Sequence, residues 1–128
     1  MSRRKAKSGK LSVFKGREAR LNKAIFHILA HKSPLAIYDI HKEVKAQRGL
    51  RRVRYANVNK RVRALDESGY VKKIGIKKTK AGFQSSIYEL TPRAYLALML
   101  DSTNLEYLLN RMDENDASEI LAAIATLT

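Results

Sequence analysis

Tyr55–Leu90 reads YANVNKRVRALDESGYVKKIGIKKTKAGFQSSIYEL, and a change of period inside it decides the fold. Val58, Val62 and Leu65 recur at i, i+4 and i+7, the spacing of one buried helical stripe, so a helix is predicted from about Tyr55 to Ser68. Gly69 stands where a helix ends on a left-handed residue. Beyond it the period falls to about two. Tyr70–Lys77 and Ser85–Leu90 are predicted as strands joined by a loop with Gly82. By alternation Ile74, Ile76 and Ile87, with Tyr88 or Leu90, are expected to supply the buried faces and leave the lysines in water.

Upstream, Leu21, Ile25, Ile28 and Leu29 mark a first helix from Arg17 to about His31. Pro34 ends it, and Leu35-Ala36-Ile37 is a short apolar run with the character of a small strand. A second helix is expected over about Tyr38–Gln47, with Ile40 and Val44 inward and Asp39 in the first turn, where the helix dipole favours an acid. Arg48-Gly49 stops it. Downstream, Thr91-Pro92 opens a fourth helix running to about Leu100. A fifth is expected over about Asn104–Met112, and a last one opened by a capping box, Asp116-x-x-Glu119.

Helix, short strand, helix, helix, hairpin, helix is the order of a winged helix-turn-helix domain. NVNKRVRALDESGYV resembles the recognition helix and first wing strand of MarR-like, PadR-like and related archaeal regulators. YELTPRAYLAL resembles their second wing strand running into the next helix. The resemblance spans about residues 17–100. One departure is the linker Leu50–Arg54, longer and more basic than the usual tight turn. The expected class is α+β, mainly α: a basic arm over 1–16, a winged helix domain over 17–100 and a C-terminal helical dimerisation segment of two further helices over 101–128.

Charge points to the partner. The 128 residues carry net +14. Residues 1–100 hold 25 Lys and Arg against six acids, net +19, whereas residues 101–128 hold Arg111 against six acids, net −5. Cations gathered this way fit a polyanion, since each neutralised phosphate releases condensed counterions. High charge can also serve solubility alone, but solubility needs no such segregation.

Taking Val58 as inward, a 100° step per residue turns Ala56, Lys60 and Arg63 away from the core, flanked by Asn57 and Asn59. An α-helix fits the major groove of B-DNA, where Asn can bond adenine and Lys guanine in a bidentate manner. Ala56, Asn57, Asn59 and Lys60 are therefore the candidate base readers. Arg51, Arg52, Arg54, Arg61 and Arg63 are candidates for the DNA backbone, and Tyr55 can meet either a phosphate or the core. Lys77, Lys78 and Lys80 at the wing suit phosphate, although edge lysines also discourage aggregation. Arg3, Arg4 and Lys5 belong to an arm that can lie in a neighbouring minor groove.

The acidic tail would be repelled by DNA. Leu105, Leu108, Leu109 and Met112 form one stripe, and Ile120, Leu121, Ile124 and Leu127 another. A two-fold homodimer is expected there, as the resemblance to PadR-like proteins implies; the alternative is that the tail folds back on its own domain. The competing functional readings are an RNA- or ribosome-associated basic protein, and a DNA coater without sequence preference. No enzyme, cofactor or metal is expected. Cysteine is absent, no glycine-rich phosphate loop occurs, and His27, His31 and His41 lack partners that would make a triad or a metal motif. Absence of Cys, of an apolar leader and of an 18-residue apolar run leads to the expectation of a soluble cytoplasmic, nucleoid-associated protein with no membrane role. The sequence shows no pocket for a small effector.

Overall fold

The computed structural model describes residues 13–102 and 110–126, the side chain of Ile124 excepted. Its elements are α1 (Ala19–Lys32), β1 (Leu35–Ala36), α2 (Ile37–Lys45), α3 (Tyr55–Glu67), β2 (Val71–Lys78), β3 (Gln84–Leu90), α4 (Pro92–Asp101) and α5 (Glu114–Ala125). The three strands form an antiparallel sheet in the order β1-β3-β2. Three helices packed together with a sheet whose β2–β3 hairpin projects beyond them make a winged helix-turn-helix, in the α+β, mainly α class.

Local chemistry explains the element ends. At the end of α3 the Tyr70 N–H donates to the Leu65 carbonyl (2.8 Å) and the Gly69 N–H to Asp66 (3.1 Å), with Gly69 at φ +83°. This pair of bonds satisfies carbonyls that would otherwise be orphaned, and positive φ favours glycine there. Thr91 joins that end to α4. Its hydroxyl donates to Gly69 O (2.6 Å) and accepts from the Ala94 N–H (3.4 Å), with Pro92 at the first helical position. The last helix differs from expectation. It starts at Glu114, and Asp113 caps it by accepting from the Asp116 N–H at 2.8 Å; the box placed at Asp116 is therefore not the cap. Asp116 instead occupies the first turn, where its charge suits the dipole.

The core is wider than the stripes that announce it. Leu21, Ile25, Ile28 and Leu29 are buried as the spacing predicts, but so are Phe26 and Asn22. Residues just ahead of α1 cover that flank. The Phe14 ring meets Phe26 edge-on at 4.9 Å, and the Asn22 side-chain amide donates to Val13 O at 2.9 Å. Val13 and Phe14, within the stretch 1–16 expected to be an arm, thus pack on the core. Val58, Val62 and Leu65 of α3 complete the interior together with Ile40, Val44, Tyr70, Val71, Tyr88 and Leu90.

The wing corrects a second expectation. Ile74 and Ile76 are 44% and 55% exposed, while Val71, Tyr88 and Leu90 take the buried places. Lys73 pairs with Tyr88 but Gly75 already pairs with Ile87, so one extra residue sits in β2 at Ile74. Such a bulge breaks the period-two rule and bends the strand. The hairpin beyond it leaves the core.

Candidate nucleic-acid interface

Because α3 spends Val58, Val62 and Leu65 on the core, the side opposite them is available. Ala56, Asn57 and Lys60 are exposed on its outer side and near its N-terminus, the end expected deepest in a major groove. The helix packs on α1, α2 and β2, and among the described residues it makes no comparable contact with α5. Asn59 is half-buried and turned toward the hairpin. Its Oδ1 accepts from Arg63 Nε at 3.2 Å. An acceptor spent on Arg63 positions that guanidinium, which separates Asn59 from the other three candidate readers.

Tyr55 opens the helix, 45% exposed. Its ring stands edge-on to His41 at 5.7 Å, and His41 Nε2–H donates to the Val53 carbonyl at 2.8 Å. His41 so ties α2 to the linker that leads into α3. His27 and His31 are exposed and bonded to each other, His31 Nδ1 donating to the His27 carbonyl at 2.8 Å. Among the described residues, no group of three or more His, Asp or Glu is placed to hold a metal ion.

Arg61 turns inward. Its Nε donates to the Oδ1 of buried Asn22 at 3.1 Å and its Nη1 approaches Glu18 at 4.0 Å. Arg63 is exposed. The two arginines, alike in sequence, therefore have different tasks. Arg61→Ala strands a buried carbonyl oxygen and should cost about 1–3 kcal/mol of stability. Arg63→Ala should change stability by no more than about 0.5 kcal/mol. Urea unfolding of both variants checks this contrast, and equal losses would contradict it.

Around α3 the cations divide the same way. Arg51, Arg52 and Arg54 are exposed on a linker pinned by buried Leu50 and turned at Gly49 (φ +84°). The Arg20 guanidinium lies over Gly49 where a Cβ would sit and donates to Arg48 O at 3.4 Å. A cleft walled by Arg20, Lys23, His27 and Arg48 continues this basic surface onto α1. On the wing, Lys77 pairs with Asp39 (3.6 Å) and Lys72 with Glu89 (3.5 Å). Among the described residues, Lys60, Lys78 and Lys80 make no ion pair. Arg3, Arg4 and Lys5 lie outside the described residues, as do Leu105, Leu108, Leu109 and Leu127.

Between α3 and the wing runs a groove that the sequence did not announce. Tyr38 of α2, Tyr55, Asn59 and Arg63 of α3, and Gln84, Ser85, Ser86 and Tyr88 of β3 line it. Hydroxyls, an amide and a guanidinium facing one trough are the donors that grip a phosphate chain. Tyr38 and the two serines carry no sequence signal of their own, because only the packing of α2 against β3 brings these distant residues to one groove.

No family model matches the chain. No curated protein matches it either. Among solved structures it is similar to a mutant of Lactococcus lactis ZitR, at 19% identity and a TM-score of 0.44, over 93% of this chain and 78% of that one. No described helix is long and apolar enough to cross a membrane.

Proposed function

We propose that this chain binds double-stranded DNA in a sequence-specific way and acts as a transcription regulator, not as an enzyme. One observation carries the reading: Ala56, Asn57 and Lys60 stand uncovered on α3, and Lys60, like Lys78 and Lys80 of the wing, makes no ion pair among the described residues. In this reading α3 enters the major groove and its side chains discriminate bases. Arg51, Arg52, Arg54, Arg63, Lys78 and Lys80 hold the backbone, joined by Tyr38, Ser85 and Ser86 in the groove. Arg3, Arg4 and Lys5 lie along an adjacent minor groove. The working division is an arm, a DNA-binding domain over 17–100 and a dimerisation segment over 101–128.

The test is selection of bound duplexes from a random library beside a structured-RNA competitor. Enrichment of one motif supports the reading; preference for the RNA would replace it with the RNA-binding one. Lys78→Ala and Lys80→Ala should weaken binding to every duplex and flatten the log–log salt slope by about 0.9 for each phosphate no longer neutralised. Unchanged slopes would remove the wing from the interface.

The dimer rests on α5. Ile120 and Leu121 are 43% and 58% exposed on a helix whose only charges are acidic. An apolar pair in water is a candidate contact between copies. Two-fold pairing would set the two recognition helices about 34–36 Å apart, matching a palindromic site. Sedimentation should show a dimer that Ile120→Asp with Leu121→Asp dissociates, and a monomeric wild type would refute it.

A further inference from the structure

At the tip of the β2–β3 hairpin stands an aromatic ring that takes no part in the core. Phe83 is 71% exposed, the most exposed of the described large apolar residues. Its backbone is nonetheless tightly held. The Thr79 N–H donates to Phe83 O (2.8 Å), the Phe83 N–H donates to Thr79 Oγ1 (3.1 Å), and the Gly82 N–H donates to Thr79 O (2.9 Å), with Gly82 at φ +90°. A tip closed in this way offers its ring from a backbone already ordered before binding.

Two further facts say what the ring meets. Lys78 and Lys80 stand within five residues of it on the same hairpin and, among the described residues, have no acidic partner, a setting that repels a second identical tip and attracts phosphate. Gln84, the next residue, lines the groove shared with Asn59 and Arg63 of α3. From Tyr88, where β3 leaves the core, five residues of strand carry the chain about 17 Å to Phe83. Half a turn of B-DNA, the step from a major groove to the adjoining minor groove, is also about 17 Å.

We propose that Phe83 is a wedge that enters the minor groove adjoining the major groove occupied by α3, partly unstacks a base step and kinks the duplex. This rests on the DNA-binding reading and adds a bending activity to it. Apolar side chains act this way where phosphate contacts hold the duplex around them. The step entered is pyrimidine–purine, above all TA, because those steps unstack most easily. Preference for such a step is then imposed through deformability, at a position no hydrogen bond reads.

The test uses the full chain and an alternating A·T duplex of about 30 base pairs, in which every second step is TA, so that binding register is immaterial. The duplex carries 2-aminopurine in place of scattered adenines and a donor–acceptor pair at its ends. Saturating wild type should raise both 2-aminopurine emission and end-to-end energy transfer. Phe83→Ala should bind within about threefold of wild type yet lose both signals, and Phe83→Leu should restore most of them. A homopolymeric A-tract duplex, which has no TA step, should respond weakly. If Phe83→Ala bends and unstacks the duplex as wild type does, the wedge is overturned. If its sole defect is loss of self-association in sedimentation, the ring contacts a second copy and the wedge is likewise overturned. A wild type that binds no duplex overturns the DNA reading itself, and the wedge with it.

Discussion

Asn57→Ala and Lys60→Ala should each lower affinity for the selected duplex by about 1–3 kcal/mol, roughly five- to 160-fold, and barely change affinity for random duplex. The size follows from what is removed. A bidentate bond to a base edge discriminates among bases only where the edge presents the matching donors and acceptors, so its removal is felt on the preferred site and hardly elsewhere. Both side chains are exposed and contribute nothing to the core, so the melting temperature should hold. Asn59→Ala should behave differently, because its Oδ1 is already bonded to Arg63. Its loss releases an arginine held beside the wing, and binding should weaken on all sequences alike. Competition titrations on selected and random duplexes separate these outcomes. Equal losses on both duplexes for Asn57→Ala and Lys60→Ala would reject base reading by α3.

Phe26→Ala is the substitution with the largest expected cost to folding, about 3–5 kcal/mol. The ring is fully buried. It meets Phe14 at 4.9 Å from one side and Tyr70 at 5.6 Å from another, and so joins the segment before α1 to the start of the hairpin. Truncation forfeits the transfer free energy of the ring and leaves a cavity whose walls are aromatic edges on separate elements, which cannot close over it together. Against a typical total of about 5–15 kcal/mol, that is a large share of the stability. For a domain of this size the melting temperature should fall on the order of 15 °C or more. A loss under about 1 kcal/mol in urea titration would mean that the aromatic cluster is not a centre of the core.

The stripe of Val58, Val62 and Leu65, the cap at Gly69 and the Thr91-Pro92 start all occur where the sequence places them. The paired isoleucines of β2, by contrast, are inward by alternation and stand outward in the fold. The spacing along α1 marks four inward residues and misses Phe26 and Asn22 beside them. Arg61 and Arg63 look alike in the sequence, and only one faces solvent.

The difference has a physical origin. Periodicity and capping arise from neighbours a few residues apart and charge is read directly from composition, so the sequence by itself determined α1 to α4, the hairpin and the cationic character of the first hundred residues. Tertiary structure decided how wide each buried arc became, because Val13 and Phe14 close over α1 from outside it. It decided the face of the wing through one extra residue in β2. It also drew Arg61 inward to an amide 39 residues away, a partner that no local pattern encodes.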